Sequence, residues 1–237
     1  MREVIKLSRS TVEKYINCPR CCVLDKKYQI RPPSLPFTLN IAVDNLCKNE
    51  FDYYRQIQEP HPLFIENDID AVPFRHKEIN DWRNNFKGIR YKCAENNYDF
   101  GGAIDDVWQK KNGDLIIVDI KATSKNNFNW SETFEKYEYD KAYKRQLEMY
   151  QWLFRKNGFK VADECYLVYF NGKKNEEFFN NELKFDAHLV KLQCSTSWVE
   201  NKIIETADLL RSERFPQPSS NCEYCNYLKK RWQLSKN

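Results

Sequence analysis

The sequence predicts a mixed α/β fold, with helices flanking one central sheet. Three observations carry this reading. Apolar runs bounded by Asn-Asn and Asn-Gly pairs occupy the middle of the chain, amphipathic periodicity lies on either side, and apolar residues suffice to cover a sheet. Of 237 residues, 41% are hydrophobic and 15% aromatic, so a sizeable core is available and disorder is not expected over most of the length. That length suits one domain spanning residues 1–237. No run of about 18 apolar residues occurs, so no membrane span is expected. The opening MREVIK lacks the apolar core and cleavage site of a secretory signal, which gives a cytoplasmic expectation. With 38 Lys plus Arg against 34 Asp plus Glu, the net charge of +4 permits nucleic acid as a partner without demanding it.

The elements follow in order. Residues 8–17 read as a short helix, with Ser10 and Glu13 forming a capping box and Pro19 stopping it. Residues 18–36, with CPRCC and two proline clusters, read as irregular. Residues 37–58 have apolar positions at 39, 43, 46, 47, 51 and 54, the spacing of an amphipathic helix. Residues 59–88 carry three prolines and at most a short helix around Asn80–Phe86. From Ile89 to Lys121 the pattern is antiparallel strands with turns at Asn96-Asn97 and Asn112-Gly113. Residues 122–140 read as a polar, aromatic loop or lid. A helix at 141–156 is closed by Asn157-Gly158, and strands at Cys165–Phe170 and Leu183–Leu192 are separated by a turn at Asn171-Gly172. A last amphipathic helix spans 197–212, and no internal repeat is present.

The stretch GGAIDDVWQKKNGDLIIVDIKATSK, residues 101–125, is the informative one. Leu115–Val118 is apolar enough to be buried, yet Asp119 and Lys121 follow on one face, because strand side chains alternate. Across the hairpin stand Asp105 and Asp106. A two-residue Asn-Gly loop sets Asp106 opposite Asp119, whereas a three-residue loop, Lys111-Asn112-Gly113 with Gly113 left-handed, sets Asp105 there. Either register brings two carboxylates together, which repel unless a cation sits between them. Hard oxygen ligands suit Mg²⁺ or Mn²⁺, and a nearby lysine can stabilise charge on phosphorus oxygens. A plain ion pair at a strand end is the alternative. Downstream, Gln146 and Tyr150 lie four residues apart, on one helix face.

Nine cysteines, in a chain expected not to be exported, argue against a disulfide framework and for metal ligation. Cys18-Pro-Arg-Cys21 and Cys222-Glu-Tyr-Cys225 supply four thiolates in the spacing used for tetrahedral metal, which favours zinc. Cys22 is an adjacent alternative ligand. Cys47, Cys93, Cys165 and Cys194 are read as core, and His61, His76 and His188 as structural or surface residues.

Taken together, GAID (102–105), DIK (119–121) and QLEMY (146–150) resemble the PD-(D/E)XK nuclease superfamily, specifically its RecB-like branch. That branch includes the nuclease domains of recombination helicase–nucleases and the CRISPR-associated adaptation exonucleases. LSRSTVEKYINCPRCCVLDKKY and PFTLNIAVDNLCKNEF resemble the branch's first two helices, so the likeness runs from about residue 7 to 227. It implies a restriction-endonuclease-like mixed central sheet flanked by helices, with the termini joined by a cysteine metal site. It also implies Asp105 and Asp119 as ligands for Mg²⁺ or Mn²⁺, the Ile120 carbonyl as a third, and Lys121 as the catalytic lysine. Gln146 and Tyr150 would position the substrate phosphate or the lysine. Where the branch usually has a histidine ligand, this chain has Asp44, which is either a ligand or a solvated helix residue.

Relatives often hold a [4Fe–4S] cluster, with one cysteine N-terminal and three C-terminal. Here the split is two and two, which leaves Fe–S and zinc both open. The implied function is a metal-dependent DNA nuclease, an exonuclease of repair, recombination or defence. It would act on single strands or duplex ends, with a helicase or other repair or defence proteins as partners. Lys125, Lys141, Lys144 and Arg145 are candidate phosphate contacts. Trp130, Phe134, Tyr137 and Tyr139 are candidates for stacking on bases, or for packing among themselves. Two other classes compete: an inactive nucleic-acid-binding or adaptor protein that keeps the fold, and a thiolate–metal interaction module. The first is disfavoured by the intact Asp105, Asp119 and Lys121, and the second leaves those acids unexplained.

Overall fold

A computed structural model describes residues 3–126 and 128–235. In chain order the elements are β1 (Ile5–Ser8), α1 (Arg9–Asn17), α2 (Pro19–Tyr28), α3 (Thr38–Ile57), α4 (Pro62–Glu66), β2 (Ala71–Pro73), α5 (Ile79–Arg83), β3 (Ile89–Cys93) and β4 (Tyr98–Gly102). Then come β5 (Asp106–Lys110), β6 (Leu115–Thr123), α6 (Trp130–Lys136), α7 (Glu138–Lys156), β7 (Val161–Gly172), β8 (Phe185–Gln193), α8 (Val199–Arg211) and α9 (Glu223–Leu234). They fall into two compact units, residues 37–90 with 102–196, and residues 1–36 with 91–101 and 197–237.

The larger unit is built on a five-stranded sheet in the order β2-β5-β6-β7-β8. Neighbours are antiparallel except β6 and β7, which run parallel. A parallel pair cannot be joined by a tight turn, and the connection here passes through α6 and α7. Leu115 to Ile120 are all buried, as in a strand covered on both faces. Alternation sends Ile116, Val118 and Ile120 to one face, where Cys47 and Phe51 of α3 pack with Trp108 and Val168. The other face carries Ile117 and Asp119 and lies under α7, whose Leu147, Leu153 and Phe154 are fully buried.

Several expectations need correction here. Helix α3 matches the predicted span, but Leu39 and Leu46 of the predicted apolar face are exposed, and the inward stripe is Cys47, Phe51 and Arg55. The predicted loop 122–140 contains the end of β6, all of α6 and the first turn of α7. Asn171-Gly172 is not a turn. Both residues pair with β8, and the reversal lies within 173–184, where Asn180 and Asn181 adopt φ of 47° and 61°. Cys165 and Cys194 are buried, as read, but joined by a disulfide that was not expected.

His61 is buried among Phe51, Tyr54 and Phe64, with ring centroids 4.5, 4.9 and 5.7 Å away. Its Nδ1 accepts a hydrogen bond from the Leu63 amide and so caps α4. Burial pushes its pKa below the usual 6.5 and outweighs the opposite pull of Glu50. A depressed imidazole pKa means that the unfolded chain takes up its proton first on acidification. Stability from this group is therefore present above 6.5 and lost as pH falls through the folded pKa. Between pH 7 and 5.5 the melting temperature of wild type should fall more steeply than that of His61→Asn, whose amide oxygen can still cap the helix. Parallel slopes in thermal melts would refute this.

The smaller unit has a three-stranded sheet, β1-β4-β3, with β1 parallel to β4, so the chain contains a second sheet in addition to the predicted one. Helix α1 is capped by Ser8, whose Oγ accepts from the Thr11 amide at 3.3 Å, two residues before the predicted cap at Ser10. Residues 18–36, read as irregular, include α2. Pro19 does not merely end α1; it starts α2, where its missing N–H costs nothing. Val199, Ile203, Thr206 and Ala207 form the buried stripe of α8.

Candidate functional site

Residues 111–113 close the β5–β6 hairpin as a three-residue loop. Gly113 adopts φ +87° and donates to the Lys110 carbonyl, and Lys110 donates to Asp114, both at 2.9 Å. That loop sets Asp106 opposite Val118, so one step further Asp105 stands beside Asp119. Of the two registers open to the sequence, the longer loop is the one adopted. Asp105 Oδ2 accepts from the Ile120 amide at 2.9 Å, and its charge acts on the buried Asp119 carboxyl beside it.

Asp106 turns away and is wholly buried, ion-paired to Arg55 and, at 2.8 Å, to Arg83. Both arginines also bind Asp52, at 2.5 and 2.7 Å.

Around Asp105 and Asp119 three elements converge. Helix α7 supplies Gln146, whose Nε2 donates to Asp119 Oδ1 at 2.7 Å and lies 3.3 Å from the Tyr150 hydroxyl. Strand β6 supplies Lys121, whose ammonium pairs with Asp119, donates to the Ile120 carbonyl at 3.3 Å and lies 4.7 Å from the centre of the Tyr143 ring. Helix α3 supplies Asp44 and Lys48. The Lys48 ammonium bridges Asp44 Oδ2 at 2.7 Å and Asp105 Oδ1 at 3.0 Å. Asp44 Oδ1 is buried with no hydrogen-bond partner among the described residues.

Three carboxyl groups and two ammonium groups thus share one notch. Burial raises the Asp119 pKa to about 7, with the Asp105 charge adding to the rise and Lys121 opposing it. Burial also raises Asp44, again helped by Asp105. Asp105 goes the other way. Burial alone would raise it, but Lys121 and Lys48 outweigh that and hold it low, at about 2. For Lys121 and Lys48, the pull of the carboxylates exceeds the depressing effect of burial, and both are raised.

The structure therefore gathers Asp44, Asp105, Asp119, Ile120, Lys121 and Gln146. Tyr150 meets Gln146, while the aromatic ring against Lys121 belongs to Tyr143. Lys48 and Tyr143 were not among the expected site residues. Lys48 stands four positions after Asp44 on a helix, a spacing that could have revealed it. The basic candidates are engaged with acids: Lys141 and Arg145 lie 3.6 and 3.1 Å from Glu138, and Lys144 lies 4.0 Å from Glu148. The lid aromatics pack on one another and around Lys125, with Tyr137 and Tyr139 ring centroids 5.1 Å apart. His76 stacks on Trp82 and His188 on Phe128, outside the notch.

In the smaller unit, Cys18, Cys21, Cys222 and Cys225 converge, with every sulfur within 4.8 Å of the others. Cys22 is excluded as a ligand, since its thiol is buried and donates to the Thr11 carbonyl.

The chain matches the PD-(D/E)XK nuclease superfamily over residues 38–229 and belongs to it. No curated protein matches it. Nine chains among solved structures match; one, titled "Crystal structure of SSO0001", is 15% identical, with a TM-score of 0.42 over 97% of this chain and 86% of that one. No helix among the described residues is long and apolar enough to cross a membrane.

Members of the superfamily are generally metal-dependent nucleases. The donor set suits such an ion. It offers hard oxygens from Asp105, Asp119 and the Ile120 carbonyl, and in Asp44 Oδ1 a buried carboxylate oxygen with nothing to accept from.

Proposed function

We propose that this chain is a Mg²⁺- or Mn²⁺-dependent DNA nuclease of the RecB-like kind, an exonuclease that hydrolyses phosphodiester bonds in repair, recombination or defence. The observation that supports it most is the placement of Asp105, just before β5, beside Asp119 in the middle of β6, with the Lys121 ammonium on Asp119. Asp105, Asp119, the Ile120 carbonyl and Asp44 would hold the ion. When bound, the ion supplies Lewis acidity toward a phosphate oxygen and a water of lowered pKa.

The protein's own groups do the rest. Gln146 fixes the Asp119 carboxylate by donating to one oxygen, which leaves the other toward Lys121. The Lys121 ammonium, held charged by the acids, is available to orient the attacking water or to counter the negative charge that grows on the phosphorus oxygens. The Tyr143 ring limits where that ammonium can move. Lys48 balances the charge of Asp44 and Asp105, which keeps the two acids facing each other.

Lys125 and its neighbouring aromatics are the proposed contacts for single-stranded DNA or duplex ends, and a helicase or another repair or defence protein is the proposed partner. Cys18, Cys21, Cys222 and Cys225 are proposed as a structural metal site, remote from the chemistry in role.

The test is cleavage of end-labelled single- and double-stranded DNA with Mg²⁺, Mn²⁺ or EDTA. Wild type should cut with either ion and not in EDTA, and Lys121→Met should be slower by about 10²–10³. An uncut substrate, cutting in EDTA, or equal rates for Lys121→Met would each refute the reading.

A further inference from the structure

We infer that the four-cysteine site takes a single tetrahedral zinc ion, and not the four-iron cluster suggested by the resemblance to RecB-like nucleases. This deepens the proposed reading of these cysteines as a structural metal site. The sulfur positions carry it. Cys21 Sγ lies 3.5 Å from Cys222 Sγ and 3.6 Å from Cys225 Sγ, and Cys18 lies 4.0 Å from Cys225. Four thiolates around one ion with bonds of about 2.3 Å form a tetrahedron of edge about 3.8 Å, which falls among these distances.

A cubane is a different object. Its four thiolates each bind a different iron and radiate from alternate corners of a box of eight atoms. With every sulfur within 4.8 Å of the rest, even a regular tetrahedron of that edge has its centre only about 2.9 Å from each corner. One ion fits that space, and four irons with four sulfides do not.

The local backbone explains why the sulfurs converge. Cys18 is the N-cap of α2 and Cys21 its third residue; Cys222 is the N-cap of α9 and Cys225 its third residue. The same half-site is built twice, each time at the positive end of a helix, which favours the charge of four thiolates on one divalent ion. Among ions that accept four thiolates, zinc binds more tightly than ferrous iron.

The experiment is metal and acid-labile sulfide analysis of the full chain, purified anaerobically from cells supplied with both iron and zinc. About one zinc per chain, no sulfide and no visible absorption are expected, with zinc–sulfur bonds of about 2.3 Å by X-ray absorption. Cys21→Ser and Cys225→Ser should lose that zinc and melt at lower temperature. Should both fail to fold, a thiol-modifying reagent should release the zinc from wild type into a chromogenic chelator. Asp119→Ala should keep its zinc, which separates this site from the carboxylate notch. Iron with sulfide, a single iron, or no metal would each overturn the inference. None of those results bears on whether cleavage depends on Asp119, and an inactive nuclease would leave the zinc count untouched.

Discussion

Asp119→Asn is expected to lose DNA cleavage almost completely while keeping the fold. The substitution removes one negative charge from a fully buried site and preserves its shape. The amide oxygen can still accept from Gln146, so the tie to α7 survives. What goes is an anionic ligand beside Asp105, and with it several kcal/mol of transition-state stabilisation. That corresponds to a rate loss on the order of 10³. Without metal, the Asp119 pKa is already raised to about 7, so an uncharged side chain resembles a form that wild type populates near neutral pH. Melting temperature in EDTA should therefore stay close to wild type while cleavage disappears. A variant that cuts as well as wild type would remove the acid pair from the mechanism; one that unfolds would make Asp119 structural.

Asp106→Asn is expected to do the opposite. Asp106 has no exposed surface and compensates two guanidinium groups that are themselves less than a tenth exposed. Removing one partner of such a network leaves buried charge uncompensated, at a cost of about 3–5 kcal/mol. That is a large part of the roughly 5–15 kcal/mol by which domains are stable. Asp52 remains, but it is nearly half exposed and already shared by Arg55 and Arg83. Denaturant unfolding of Asp106→Asn should show a much lower midpoint, and Asp105→Asn should not. Two adjacent aspartates would then be separated by function, one holding the fold and the other the notch. Equal midpoints for wild type and Asp106→Asn would refute this division.

That division shows where the sequence stopped being legible. Alternation placed Asp119 and Lys121 on one face, and the motifs lie on the strand, hairpin and helix that the structure brings together. The choice between Asp105 and Asp106 depends on one residue of loop length, which local pattern left open and Gly113 decides through its left-handed conformation. The inward face of α3 was misjudged because apolar spacing cannot detect Arg55, a charged residue buried by its distant partner Asp106. Lys48 was passed over for a similar reason, since its second partner, Asp105, is 57 residues away. Proline misled at Pro19, which begins a helix as readily as it ends one. Asn171-Gly172 has turn chemistry yet continues a strand, because pairing along β8 overrides local preference there. The Cys165–Cys194 bond joins residues 29 apart, one on β7 and one just past the end of β8, and sequence alone does not specify which cysteines pair.

The central claim is that the acids of the notch hold a divalent cation. Calorimetric titration of the chain with Mn²⁺, beside Asp105→Asn, tests it most directly, because it needs neither substrate nor turnover. Wild type should bind Mn²⁺ with a measurable heat, and Asp105→Asn should bind at least about tenfold more weakly. If wild type takes up no Mn²⁺, or the variant binds it equally well, the notch is a cluster of ion pairs and nothing more.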